Sequence, residues 1–148
     1  MAAGLSLPRE NLDRFRDAFE SEVEKLLEGV ELDSVVESDG PLQPGDFNLP
    51  LARELRFAGP WGQHFPEPVF DGEFELVQQR IVGEKHLKMV LRTPGDPGQI
   101  VDAIAFGVDT GQWPDHAVER VQLAYRLDSN LFRGQETVQL LVEHIEAA

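Results

Sequence analysis

The sequence contains no cysteine, which excludes disulfides, thiolate metal ligands and cysteine nucleophiles together. It also has no apolar run near the roughly 18 residues that a membrane-spanning helix needs, and its N-terminus lacks the apolar core of a signal peptide. We therefore expect a soluble, cytoplasmic protein without a membrane partner.

Positive charge is scarce, because 13 Lys and Arg residues stand against 27 Asp and Glu residues and give a formal net charge of -14. Such a balance argues against indiscriminate binding to nucleic acid, which depends on neutralising phosphates with Lys and Arg. Four basic residues nevertheless occur between residues 80 and 92. The sequence thus predicts a local positive strip on an acidic body.

The basic residues lie in a stretch, residues 70–93, whose pattern predicts two strands joined by a tight turn at residues 82–85. The apolar side chains of the first strand change sides between Leu76 and Val77, which is typical of a strand that serves two sheets. The second strand alternates, so that one face is core and the other is basic. Its expected core residues are Leu87, Met89 and Leu91.

Residues 1–58 have the pattern of a helix, a strand and a helix, which makes this part α+β. Apolar residues recur at helical spacing up to Gly29, and Val35 and Val36 form a short strand candidate. Asp46 or Asn48 can cap the second helix, which Gly59 ends. The apolar residues that make the first helix amphipathic, opposite an acidic outer face, are Leu12, Phe15, Phe19, Val23, Leu26, Leu27 and Val30.

Residues 59–72 are rich in proline and glycine and also contain aromatic residues, so they predict a packed junction. Residues 73–148 then predict five strands, with a twelve-residue connection at 107–118 and a turn at 129–134. A bent first strand and this long connection fit an all-β, five-stranded barrel of the oligonucleotide-binding (OB) type. We expect Tyr125 in its core and Trp113 as a plug over one end.

In an OB barrel, the ligand face consists of the second and third strands and is flanked by the 1–2 and 4–5 connections. Single-stranded nucleic acid needs cations for its backbone and planar groups for its bases. Lys85 and Lys88 could equally be solvated charges, and Arg133 could serve the turn. The candidate nucleic-acid-binding residues are the cations Arg80, Lys85, Lys88, Arg92, Arg126 and Arg133 and the stacking candidates His86 and Phe132.

Several motifs, in order, resemble the C-terminal part of the RecJ family of single-strand-specific DNA exonucleases. They are residues 78–88 (QQRIVGEKHLK), 102–106 (DAIAF), 123–128 (LAYRLD) and 132–134 (FRG). Residues 59–62 (GPWG) and 66–68 (PEP) resemble the junction of that family, and residues 1–7 resemble part of its DHH-associated domain. The resemblance implies the end of a DHH-associated domain at 1–58, a junction at 59–72 and a single-stranded-DNA-binding OB domain at 73–148.

The resemblance also implies a longer parent enzyme, a 5′-3′ exonuclease of DNA repair and recombination whose catalytic domain holds Mn or Mg. This sequence lacks the Asp and His cluster of that domain, so we expect no cofactor and no cleavage here. The histidines outside the candidate site, His64, His116 and His144, have no ligand partner at useful spacing. The expected partner is single-stranded DNA, with single-strand-binding protein and other repair proteins as further candidates. The alternative is a protein-interaction OB module that recruits such partners.

Overall fold

The computed structural model describes residues 4–28 and 35–148, and the chain divides into two compact units at Val35. The described part of the first unit contains a 3-10 turn, Arg9–Asn11, and helix α1, Leu12–Leu27. The predicted amphipathic helix is confirmed, and Phe15 stacks on Phe19 with ring centroids 5.8 Å apart. Gly29 and Val30, placed at the end of this helix by its pattern, lie outside the described residues.

The short strand expected near residue 35 is not formed in the part that can be described. Val35 and Val36 belong to no strand, and residues 32–34 lie outside the described residues. A few residues later the chain is fixed to the barrel by local polar contacts. The Asp39 N–H donates to the Val69 carbonyl at 2.7 Å, and the Asp39 carboxylate accepts from the Val69 N–H at 3.0 Å.

Helix α2, Leu49–Phe57, begins at the predicted cap, because the Asn48 side chain accepts a hydrogen bond from the Leu51 N–H at 2.9 Å. Its buried Ala52 faces the barrel, and ion pairs from Arg53 and Arg56 reach the last two strands. The structure therefore groups α2 with the barrel in the unit Val36–Ala148, whereas the sequence-based division placed this helix in the preceding segment. None of the described helices is long and apolar enough to cross a membrane.

Five strands form a closed barrel, which confirms the predicted OB architecture. They are β1 (Phe70–Val82), β2 (His86–Arg92), β3 (Ile100–Ala105), β4 (Arg120–Phe132) and β5 (Gln135–Ala147). Their order around the barrel is β1-β2-β3-β5-β4, with β3 and β5 parallel.

Strand β1 serves both sides of the barrel, as its changing parity predicts. Its first part pairs with β4 and its second part with β2, and the register shifts between Leu76 and Gln78. Such a bulge bends the strand and re-aims its side chains. A second register shift, on β5 opposite Ala124 and Tyr125, turns Ile145 toward the core and explains the broken alternation there.

The predicted turn at residues 129–134 is wrong, because β4 continues to Phe132 and only two residues form the connection. Arg133 has φ 50 and Gly134 has φ 78. Two positive φ values in a two-residue loop give the hairpin turn whose twist matches that of the flanking strands. Arginine is an unusual residue for such a position, so the sequence does not signal the tight turn.

The core contains an aromatic cluster around Tyr125 and a set of aliphatic strand residues. Tyr125 is 1% exposed and packs against Phe47, Phe70 and Phe74, with ring centroids 5.4–6.3 Å away. Trp113 also belongs to the buried cluster, as predicted. The predicted inward-facing residues of β2, Leu87, Met89 and Leu91, are buried. They pack with buried side chains of β4 and β5: Val121, Leu123, Leu127 and Leu140.

Burial of Tyr125 has a measurable consequence at high pH. Burial first, and then the negative charges of Asp71 and Asp46, raise the pKa of Tyr125 above its ordinary value. The stabilisation from this neutral phenol is fully present below the ordinary tyrosine pKa and is lost as the pH rises through the raised pKa. Because the chain has one tyrosine, tyrosinate ultraviolet absorbance should appear only together with loss of the barrel's circular dichroism. Ordinary titration of an intact barrel would contradict this.

Candidate nucleic-acid interface

Two cations lie opposite each other on the outer surface of the barrel. The β1–β2 register pairs Arg80 with Lys88, and the neighbours of Lys88 on its strand, Leu87 and Met89, are 0% exposed. Since side chains alternate along a strand, Lys88 points away from the core. Directly opposed residues have Cβ atoms about 5 Å apart, a distance at which like charges destabilise the pairing. We call Arg80 and Lys88 the cation pair.

The cation pair is only partly neutralised by its surroundings. Lys88 Nζ lies 3.6 Å from a carboxylate oxygen of Asp102 on β3, and both side chains are partly exposed. Arg80 forms no ion pair with any residue in the two described ranges, and neither does Lys85. Lys85 is exposed in the turn that follows Gly83, whose φ is 62. This region therefore contains three cations, Arg80, Lys85 and Lys88, of which Lys88 is paired with a carboxylate, that of Asp102.

An aromatic pair, His86 and Phe106, lies at the end of the same surface. The ring centroids are 5.1 Å apart and the rings meet edge to face at 70°. His86 was predicted as a site residue, whereas Phe106 was not. Its signal was available in the sequence, because Phe106 continues the outward parity of Asp102 and Ile104 beyond the end of β3.

Hydrogen bonds fix this aromatic pair to the β1–β2 turn. The Gly107 N–H donates to His86 Nδ1 at 3.2 Å, and the Val108 N–H donates to the Lys85 carbonyl at 2.9 Å. Farther along the same connection, the buried Gln79 side chain donates to the Asp115 carbonyl at 2.5 Å and accepts from the Asp115 N–H at 3.0 Å. The connection is thus held at both ends.

Arg92, another predicted cation, is engaged within the protein. Arg92 Nε lies 3.3 Å from a Glu75 carboxylate oxygen, and its guanidinium donates to the Pro97 carbonyl at 2.8 Å. These contacts hold the side chain over the connection between β2 and β3. Arg92 thus has a structural role within the barrel.

Arg126 is engaged more extensively, because two carboxylates hold it. Its guanidinium lies 2.8 Å from Glu67 and 2.6 Å from Glu143. Burial works to lower the pKa of Arg126, but the hydrogen bond that Arg126 donates to Glu67 and the charges of Glu143 and Glu67 outweigh it and raise that pKa. Arg126 therefore joins the junction segment to β4 and β5 as a permanently charged group.

The remaining two predicted residues lie at the tip of the β4–β5 hairpin. Phe132 is 64% exposed, and the Arg133 guanidinium lies 5.1 Å from the centroid of its ring, within the range of a cation–π contact. The row that contains Lys88 continues through Ile104 to Leu141 on β5. Leu141 lies seven positions after Gly134 along β5, a distance of roughly 23 Å in an extended strand. The structure thus brings Arg80, Lys85, His86 and Lys88 together and places the hairpin tip elsewhere.

The described residues do not fit a metal ion. In those parts of the chain, no group of three or more His, Asp or Glu side chains is arranged to hold one.

Comparison with known proteins agrees with this architecture. The family model of the RecJ OB domain matches residues 38–144. Two similar relatives are the proteins called single-stranded-DNA-specific exonuclease RecJ from Dickeya dadantii, 53% identical over 98% of the chain, and from Escherichia coli, 50% identical over 98% of the chain. The chain spans 25% of the length of each.

Solved structures lead to the same family. RecJ from Thermus thermophilus, crystallised with Mn2+, matches with a TM-score of 0.62 and 25% identity over 92% of this chain and 20% of its own. The same protein crystallised with Mg2+ matches with a TM-score of 0.61 and 25% identity, over 89% of this chain and 20% of its own. A family model that covers most of the chain, high identity to curated relatives and a shared fold agree. The chain belongs to the RecJ family and contains its OB domain.

Proposed function

We propose that this chain is the single-stranded-DNA-binding region of a RecJ-type exonuclease and that the DNA backbone passes over the cation pair. The observation that supports this most strongly is the placement of Arg80 directly opposite Lys88. Two like charges in such a position destabilise the free protein, and a bound phosphate would remove that penalty. Lys85, in the adjoining turn, extends the positive region by one further contact.

The surroundings favour a single strand over a duplex as the ligand. A single strand offers exposed base faces as well as phosphates, and binding without sequence preference combines cations with aromatic rings. The surface around the cation pair offers both. Because the chain as a whole carries a formal charge of -14, a duplex that reaches beyond this small region would meet carboxylates.

The activity of the parent enzyme is part of this proposal. The relatives are named single-stranded-DNA-specific exonucleases, and this chain spans about a quarter of them. We infer a 5′-3′ nuclease of DNA repair and recombination in the cytoplasm, with Mn or Mg in a catalytic domain outside this chain. In that enzyme residues 1–58 would end the DHH-associated domain, residues 59–72 would form the junction, and the barrel of residues 73–148 would hold the strand without cutting it.

The proposal is tested by titrating the protein with a labelled single-stranded oligonucleotide and with the corresponding duplex at several salt concentrations. Three phosphate contacts predict a log-log salt slope of about -2, since each contributes about -0.7 on single strands. The single strand should bind more tightly than the duplex. Equal binding of both, or affinity for the single strand that does not change with salt, would contradict the proposal.

A second candidate function, recruitment of a protein partner, is favoured by the hairpin tip. Leu131 and Phe132 are 70% and 64% exposed there, away from the cation pair. Neighbouring exposed apolar side chains can mark a protein contact. This function would be favoured over the first by two results together. The unmodified chain would retain single-strand-binding protein but bind no oligonucleotide, and Phe132→Ser would no longer retain that protein.

A further inference from the structure

Phe106 is a large aromatic side chain that the barrel leaves uncovered at the end of β3. Its side chain is 63% exposed. A single exposed apolar residue is ordinary on a protein surface and indicates nothing by itself. What distinguishes Phe106 is that its ring and its backbone are both held in place.

The ring of Phe106 is held on one side by the edge of His86, with centroids 5.1 Å apart. The backbone that follows is held by the hydrogen bonds from Gly107 to His86 Nδ1 and from Val108 to the Lys85 carbonyl. A surface that is ordered before it binds loses less conformational entropy on binding. The exposed face of Phe106 is therefore a preorganised flat apolar surface.

Phe106 also forms one wall of a groove of about 220 Å3. The groove is smaller than sites for drug-sized ligands, which have roughly 300–1,000 Å3. Its size suits one planar ring. Its other walls include Trp113, Gln112 and Ile145. Asp109 and Glu143 also line it. The Glu143 carboxylate is paired with Arg126, so Asp109 supplies the negative charge that would repel a phosphate. The groove therefore suits an uncharged base better than the DNA backbone.

The aromatic pair lies next to the cation pair along the strands. His86 pairs with Val82, and the cation pair lies two residues farther along β2, a distance of roughly 6.6 Å. Lys85 lies on the other side of His86. A phosphate on Arg80 and Lys88 would thus leave an adjacent base within reach of Phe106.

We propose that Phe106, held by His86, is a stacking platform for one unpaired nucleobase of a strand whose phosphates lie on the cation pair and Lys85. This inference rests on the proposed function for the contact with DNA, but it makes a separate claim about the base. Stacking of a base on an aromatic ring tolerates any base, because every base has a π face. The platform would therefore add affinity without adding sequence preference.

The test compares the unmodified protein with Phe106→Leu on two single strands, one complete and one with abasic sites at every position. Loss of a stacked base should weaken binding of the complete strand about 5- to 150-fold in Phe106→Leu. The unmodified protein should bind the abasic strand more weakly than the complete strand. Phe106→Leu should weaken binding of the abasic strand little further. Phe106→Tyr, which keeps a ring, should restore tight binding of the complete strand.

Phe57→Leu is the matched control, because Phe57 is an 80% exposed phenylalanine on α2 outside this surface. Equal loss of affinity in Phe57→Leu and Phe106→Leu, or an unchanged affinity in Phe106→Leu for a complete strand that binds the unmodified protein, would overturn the platform. Absence of salt-sensitive binding of any single strand by the unmodified protein would instead overturn the proposed function. The two failures are thus distinguishable.

Discussion

Phe74→Ala should lower the free energy of unfolding of the barrel by about 3–5 kcal/mol, the range for truncation of a buried phenylalanine. Phe74 is 1% exposed and meets Tyr125 edge to face with ring centroids 5.4 Å apart. It also meets Phe47, at 5.8 Å, so one substitution opens a cavity between β1, β4 and the segment that precedes α2. Urea denaturation followed by circular dichroism measures the loss.

The matched control for this prediction is Phe57→Ala, which removes the same side chain from an exposed position on α2. Its effect should stay within about 0.5 kcal/mol. If Phe74→Ala were as mild as Phe57→Ala, the aromatic cluster would not be the centre of the core described above.

Joint substitution of the cation pair, Arg80→Ala with Lys88→Ala, should weaken binding to single-stranded DNA about 25-fold at 0.1 M salt. Two phosphate contacts carry a combined log-log slope of about -1.4, which between 1 M and 0.1 M salt amounts to roughly 25-fold. The salt slope of the variant should be shallower by the same 1.4. Fluorescence anisotropy over a series of salt concentrations measures both quantities.

A variant that removes two other cations, Arg120→Ala with Lys25→Ala, controls for the change in net charge. Arg120 is paired with Glu73 at 2.7 Å and Lys25 with Glu22 at 2.8 Å, so neither is offered to DNA by this proposal. An equal loss of affinity in both double variants would mean that general charge, and not the cation pair, accounts for binding.

The sequence was most informative where a strand has one buried and one exposed face. The alternation of Leu87, Met89 and Leu91 predicted β2 correctly, because burial on one face imposes a period of two. The change of parity near Leu76 likewise predicted the bend in β1. Capping of α2 by Asn48 followed from local chemistry within one helical turn.

The site was harder to predict, because it depends on pairing between distant residues. Alternation shows that Lys88 points outward, but only the register shows that Arg80 lies opposite it. Arg92 and Arg126 look like free cations in the sequence, whereas their carboxylate partners are neighbours created by the fold. Phe106 was missed, although its outward parity was visible, because only the register of β2 and β3 and the ring contact bring it beside His86.

The placement of the hairpin tip shows the same limit. Phe132 and Arg133 belong to the 4–5 connection of an OB barrel, which suggested that they share a face with Lys88. The distance of the tip from Lys88 depends on how far the β4–β5 hairpin extends before β5 begins to pair with β3 at Gln139. A turn with Arg133 at positive φ gives no sequence signal of that length.

The most direct test of the account is an amide chemical-shift map of the isotope-labelled chain titrated with a short single-stranded oligonucleotide at low salt. The account predicts that the largest shifts cluster on Arg80, Lys85, Lys88 and the residues around Phe106, and that they shrink as salt is added. Shifts confined to the hairpin residues 131–134, or absent from the β1–β2 surface, would contradict it.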